Sequence, residues 1–326
     1  MEIGKVPNSI LESLILKKLN QSRGEVLLRP GIGEDCAAVE FGEFACVLSC
    51  DPITGTAVEI GRLAVNVSCN DIASCGVEPI GLLVTVLCPP GATEQELGGI
   101  MDQLNTTAAS INVDILGGHT EITSAVTRFV ITCTAIGRCL RKDLIATSGA
   151  RKGDSLVLTK HAGLEGASIL AHEKQEELAA VLGDSVVNEA KSYMDSLSVV
   201  RDGLAAAAFG VNAMHDVTEG GVLGAVWEMC EASGNGAELY LDKIPVTMST
   251  GRICEYYGIS PYKLISSGCM LISASDGEGL VKHLEDAGIQ AAVIGRLNGT
   301  GERTLISGER REAIPQPDSD ELYKVL

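Results

Sequence analysis

Aromatic side chains are scarce: Phe, Trp and Tyr make up 3% of the 326 residues. A core must therefore be assembled mainly from Val, Ile, Leu and Ala. Positive charge is short as well. Lys and Arg number 25 against 43 Asp and Glu, a formal net charge of −18, which is the wrong sign for a nucleic-acid binder. No apolar run reaches the length of a membrane span. The opening MEIGKVPNSI has neither the basic stretch nor the apolar stretch of a secretion signal, so a cytoplasmic protein away from the membrane is expected. The eleven cysteines never fall in C-x-x-C spacing. That argues against a zinc ribbon or a thioredoxin-like redox motif and for buried free thiols in a reducing compartment.

Several catalytic signatures are missing too. No G-x-x-x-x-G-K-[ST] loop occurs, and no G-x-G-x-x-G joins a strand to a helix, which disfavours P-loop enzymes and Rossmann dehydrogenases. No G-x-S-x-G elbow is present. The histidines at 119, 161, 172, 215 and 283 form no H-x-x-x-H pair.

What is present is a mixture of short strands and amphipathic helices. A first helix is expected over 9–19, with Ser9 and Glu12 as a capping box and Leu11, Leu14, Ile15 and Leu19 on one face. Strands follow at 36–39 and 44–50, then a helix over 57–75 that ends at Gly76 and Pro79. A strand at 80–88 leads to a helix at 93–111 opened by the capping pair Thr93 and Glu96. A short strand at 113–117 ends in GGHTE, and a β-branched strand covers 126–138. The polar stretch LRKDLIATSGARKGD marks a boundary between domains 1–148 and 149–326. In the second half, strands are expected at 155–160, 212–215, 237–242, 269–274, 291–297 and 302–306. Helices are expected near 165–172, 195–209, 221–233, 248–257 and 277–287. Strands and helices do not alternate strictly, which favours α+β over a doubly wound sheet.

Acids recur at element ends. Glu34 and Asp35 lie in GIGEDCAAV, Asp51 follows the apolar ACVLSC, and Asn70 with Asp71 sits near the end of a helix, where the helix dipole disfavours an anion. His119 and Glu121 lie in GGHTE. Each acid alone suits a turn. Several together suit Mg²⁺, a hard cation that takes oxygen ligands and bridges substrate phosphates. In the second half, the paired glycines of HDVTEGG can bring backbone N–H groups to an anion, or can form an ordinary turn capped by Thr218. Lys160 and His161 before GLEG face a phosphate or simply make a loop. Cys269 opens an apolar strand with no visible activating group and is expected in the core.

In this order, GIGEDCAAV, LSCDPI, VNVSCNDIASCGVEPIGLL, LTKHAGLEGASIL and AMHDVTEGGVLGAVWEMCEASGNGAEL resemble the PurM-like ATP-binding superfamily. It includes aminoimidazole ribonucleotide synthetase, thiamine-monophosphate kinase, selenophosphate synthetase and the hydrogenase-maturation HypE branch. The second-half segments are most similar to the HypE-type and AIR synthase-related branch. The resemblance covers nearly the whole chain. It implies two PurM-like α+β domains, a homodimer whose N-terminal domains pair into a barrel, and ATP bound with Mg²⁺ near that interface. Carried over, Asp35, Asp51 and Asp71 hold the metal, and Asn70 orients them. Gly33, Gly117, Gly118 and Lys160 approach the nucleotide, and Asp216, Thr218, Gly220 and Gly221 line the cleft from the second domain. His119 stands where the family usually has Asp; a neutral imidazole is a poorer Mg²⁺ ligand than a carboxylate, so His119 and Glu121 are candidates for acid/base or phosphate contacts. No cysteine follows Cys269, so the HypE branch's carbamoyl-bearing terminal cysteine is not matched. The N-terminal Cys and Lys motif of the selenophosphate synthetase branch is not found either. The implied activity is ATP- and Mg²⁺-dependent phosphoryl transfer to an amide-like or other small acceptor. The alternative is a nucleotide-binding maturation partner with little turnover.

Overall fold

The protein is described by a computed structural model covering residues 4–20, 22–54 and 58–326. Its first half forms β1 (Val26–Leu28), β2 (Ala37–Phe41), β3 (Phe44–Ile53), β4 (Pro79–Cys88), β5 (Asp114–Ile122) and β6 (Val130–Leu140), with helical elements α1 (Asn8–Ile10), α2 (Ile60–Ser74) and α3 (Glu94–Ser110). The strands make one open sheet in the order β1-β2-β3-β6-β4-β5. All pairs are antiparallel except β4 with β5. Alternate residues such as Val47, Leu82, Ile131 and Ala135 point to the α2 side and are fully buried, as period-two geometry requires. Their neighbours Leu48, Thr134 and Ile136 are only partly covered, and Leu83 is exposed. One face of this sheet is therefore apolar and open.

The second half forms β7 (Ser155–Thr159), β8 (Ala213–Asp216), β9 (Gly236–Tyr240), β10 (Met270–Ala274), β11 (Ala291–Asn298), β12 (Arg303–Ser307) and β13 (Arg310–Ala313). Its helices are α4 (Leu164–Glu173), α5 (Gln175–Leu182), α6 (Asp184–Ser192), α7 (Val200–Phe209), α8 (Gly221–Ser233), α9 (Met248–Tyr257) and α10 (Gly277–Asp286). The strands order as β13-β12-β9-β11-β7-β10-β8. Between the two sheets lie only the 3-10 turns Arg141–Asp143 and Thr147–Gly149.

One core joins the halves. Ala38, Leu82 and Ile131 of the first sheet and Val157, Met270 and Ile272 of the second belong to the same buried cluster. Helix α7 packs on α2, and Gly203 makes this possible: a Cβ there would lie 2.4 Å from the Ala73 carbonyl oxygen. The buried Asn70 amide fastens the same contact. It donates to the Leu197 carbonyl at 2.9 Å and accepts from the Val199 N–H at 2.8 Å.

Three expectations change. The first helix begins at Asn8 behind Pro7 and has no side-chain cap, so Ser9 falls inside the first turn rather than at its cap. It continues as π and 3-10 turns to Lys18. Leu14, Ile15 and Leu19 are exposed there instead of forming a buried face. The acidic stretch after 173 folds into α5 and α6. Most consequentially, GGHTE is not a loop after a short strand: β5 runs through it, pairing Gly118 with Val84 and Glu121 with Leu87. A Cβ on Gly118 would sit 1.7 Å from the Val84 carbonyl oxygen. The glycine is thus required by strand packing alone.

Candidate functional site

Four carboxylates from four elements meet where the sheets join. Asp35 comes from the loop before β2, Asp51 from β3, Asp71 from the last turn of α2 and Asp216 from the end of β8. All line one cavity of about 700 Å³, together with Gly33 and Thr218. The Ser49 hydroxyl bridges Asp51, at 3.1 Å, and Asp71. It has one proton to offer to two carboxylates, so the group is short of positive charge. Burial pushes Asp71 well above the ordinary carboxylate range, and the charges of Asp216, Asp51 and Asp35 add to it. Burial does the same to Asp216, helped by Asp35 and Asp51 and opposed by His215. One Asp216 oxygen, Oδ2, is buried with no hydrogen-bond partner. An orphaned carboxylate oxygen among like charges is costly unless a cation meets it. The donor set is all oxygen and fits Mg²⁺.

His215 lies within 4.8 Å of Asp35 and Asp216 in a ligand-like cluster, but both its ring nitrogens are engaged. Nδ1 contacts Asp35 at 2.7 Å and Nε2 contacts Glu228 at 3.1 Å. Burial alone would lower its pKa; Asp35 and Glu228 outweigh burial and hold it well above the ordinary histidine value. With both ring nitrogens on carboxylates, it ties α8 to the Asp35 loop. Glu228 would be raised by burial, but hydrogen bonds and charge from His215 and Lys5 bring it down to about 2. Lys5 Nζ reaches Glu228 Oε1 at 2.9 Å. Gly33 is needed at this contact, since its φ is +79° and a Cβ would meet the Glu228 carbonyl oxygen at 2.7 Å. Glu34, beside Asp35, accepts from the Thr147 and Ser148 N–H groups at 3.1 and 2.9 Å. It anchors the segment between the sheets, and this explains the adjacent acids.

The remaining predicted residues lie elsewhere. Asn70 is spent on the helix junction described above. Lys160 donates to the Ser196 and Ser198 carbonyls and lies 3.4 Å from Asp202. Gly220 N–H donates to Asp320 at 2.7 Å, so the start of α8 is met by a carboxylate of the chain itself. Gly117, Gly118, His119 and Glu121 are on β5 at the sheet edge, and His119 and Glu121 are exposed, 3.3 Å apart. None of these four lines the acidic cavity. Sequence reasoning passed over Lys5, Ser49, Glu165 and Glu228. Lys5, Glu165 and Glu228 have partners far along the chain, while Ser49 lies two residues from Asp51 and also reaches Asp71.

Two mixed sheets sharing a core, with acids from both halves gathered at the joint, define the two-domain PurM-like α+β class. The chain belongs to the AIR synthase related family: the family's N-terminal domain matches residues 33–139 and its C-terminal domain matches residues 151–307. A putative hydrogenase expression/formation protein of Methanocaldococcus jannaschii is 28% identical, covering 99% of this chain and 97% of that protein. Carbamoyl dehydratase HypE of Escherichia coli is 26% identical over 64% of this chain and 61% of its own length. Among solved structures, a hydrogenase maturation protein HypE in complex with ATP superposes with a TM-score of 0.71 at 19% identity, over 98% of this chain and 97% of that one. ThiL complexed with AMPPCP and TMP gives a TM-score of 0.71 at 19% identity, over 88% and 90%. Among the described residues, no helix is long and apolar enough to cross a membrane.

Proposed function

We infer that the protein is an ATP- and Mg²⁺-dependent phosphoryl-transfer enzyme of the HypE-like type, acting in the cytoplasm on an amide-like or other small acceptor. The observation that carries this is the orphaned, buried Asp216 oxygen beside Asp35, Asp51 and Asp71. These four residues would hold the ion. Mg²⁺ when bound would neutralise charge on the phosphates, the main requirement of such chemistry. Gly33 and Thr218 line the same cavity and would meet the nucleotide. His215, held by Glu228 and Lys5, orients Asp35. Residues 1–148 and 149–326 act as the two domains, closing the cavity between them.

Thermal unfolding tests the binding step. A ligand at 100 times its Kd adds about 2.7 kcal/mol. Mg²⁺ and ATP together should raise the midpoint, and ATP without Mg²⁺ should not. No rise at saturating concentrations of both would overturn the proposal.

The open face of the first sheet supports a homodimer. Leu48 and Ile136, half-buried, and the exposed Leu83 form an apolar strip there, and β5 beside it is exposed along almost its whole length. Pairing of two such faces would bury this strip and form the family's barrel. Light scattering should return twice the chain mass of 34.0 kDa, and Leu48→Arg should return the single mass. A monomeric wild type would sink this part. In such a dimer, His119 and Glu121 on β5 would lie at the subunit interface. The HypE–HypF complex among the structural neighbours supports a maturation partner protein for this chain as well.

A further inference from the structure

Beyond the acidic cluster, the same cavity holds a carboxyl that the metal site does not use. Glu165 stands in the first turn of α4 and is 5% exposed. Its Oε2 accepts from the Ser267 N–H at 3.2 Å, and the Ser267 side chain lies beside it. Among the described residues no cation pairs with it. Leu63, Val67, Ile169, Ile265 and Leu322 give the same cavity an apolar part, and Lys5 and Arg128 are the cations that line it. A buried carboxyl without a counter-charge is expensive.

We propose that Glu165 is the catalytic base of the acceptor subsite, and that the acceptor is an uncharged molecule bearing a hydroxyl or amide on an apolar body. The proposal rests on the phosphoryl-transfer reading above. In the step, the acceptor oxygen forms a bond to the γ-phosphorus of ATP. The bond from that phosphorus to the β,γ-bridging oxygen breaks, and its electron pair leaves with ADP. The proton released by the acceptor passes to the Glu165 carboxylate.

The surroundings set both the basicity and the selectivity. Burial pushes Glu165 up to about 7; the Ser267 hydrogen bonds oppose this, and Asp320 and Glu219 reinforce it. Asp320 and Tyr323 approach from the C-terminal segment, Glu219 from the loop after β8, and Cys269 from the start of β10. None of these is a cation; Lys5 and Arg128 line the cavity but are not among the groups that shift Glu165. A base poised near neutrality suits proton removal at cellular pH. Two neighbouring acids disfavour a phosphorylated or carboxylated acceptor.

The test compares wild type with Glu165→Gln in Mg²⁺–ATP turnover, using isobutanol and isobutyramide as neutral probes and glycerol 3-phosphate as an anionic one. Wild type should be accelerated by a neutral probe, with a rate that rises with pH through a midpoint near 7. Glu165→Gln should keep the Mg²⁺–ATP thermal shift, lose the rising limb and slow the probe reaction by at least about 100-fold. Glu165→Asp should recover part of the rate. A Gln variant with wild-type rate or an unchanged pH limb overturns the assignment of the base. Acceleration by glycerol 3-phosphate alone, or by no probe in a wild type that binds Mg²⁺–ATP, overturns the acceptor class. Loss of the thermal shift in wild type itself would instead overturn the phosphoryl-transfer reading beneath it.

Discussion

Asp71→Asn should make the protein more stable without ligand and unable to respond to Mg²⁺–ATP. Both effects follow from one cause. Asp71 is buried among Asp216, Asp51 and Asp35, and its pKa in the folded state is well above the ordinary value. A raised carboxyl means that the folded chain holds the proton more tightly than the unfolded chain does. Stability therefore falls as pH rises from the unfolded carboxyl value of about 3.9 through the raised folded value, and stays lowered above it. At neutral pH the wild-type cluster is thus a source of instability in the absence of a cation. Asparagine keeps the shape and can still hydrogen-bond Ser49, but it carries no charge. The unliganded variant should melt above wild type at neutral pH, and the gap should close towards about pH 4. With Mg²⁺ and ATP the order should reverse, because wild type alone gains the binding free energy. Calorimetry across pH, with and without the ligand pair, checks both halves. A variant that binds Mg²⁺–ATP as tightly as wild type would show that Asp71 does not hold the metal.

How far the sequence disclosed this site depends on the range of the forces involved. Local signals were read well. Thr93 and Glu96 form the expected capping box, and α8 and α9 span the residues their apolar spacing and flanking glycines predict. The acids of GIGEDCAAV, LSCDPI and CNDIAS were picked out because a carboxylate bordering an apolar segment is locally anomalous. The structure does bring Asp35, Asp51 and Asp71 together with Asp216. What stayed hidden is pairwise and distant. Asn70 looked like part of the acid motif, yet its partners Leu197 and Val199 lie over 120 residues away. Glu34 looked like a turn residue, yet it holds Thr147 and Ser148. The double glycine of β5 looked like a phosphate loop because glycine suits both a loop and a strand pressed against its neighbour. Only the position of the Val84 carbonyl separates the two. Glu165 fell at the start of an expected helix, and nothing local revealed that it would be buried beside Ser267 with Asp320 and Glu219 near it.

The second large effect is expected at His215. Its imidazolium bridges Asp35 and Glu228, and all three side chains are less than 10% exposed. Replacing it by leucine leaves two buried carboxylates facing an apolar side chain. Removing one partner of a buried ion pair costs about 3–5 kcal/mol, and here Lys5 remains hydrogen-bonded to Glu228 and acts on Asp35 by charge alone. His215→Leu should therefore lower the free energy of unfolding by roughly that amount near pH 6. The dependence on pH supplies the diagnostic. Asp35 and Glu228 raise the folded pKa of His215 against the opposing effect of burial. Its contribution is thus fully present below the unfolded value of about 6.5 and is lost as pH rises through the raised folded value. The difference between wild type and variant should shrink in alkaline solution. Restoring neutrality on the other side separates charge from packing. Glu228→Gln in the His215→Leu background should recover part of the loss, while in wild type it should be destabilising. A double-mutant cycle by urea unfolding measures that coupling. Additive effects, or a His215→Leu penalty that does not change with pH, would mean that the imidazole serves as a spacer and that Asp35 is held by some other contact.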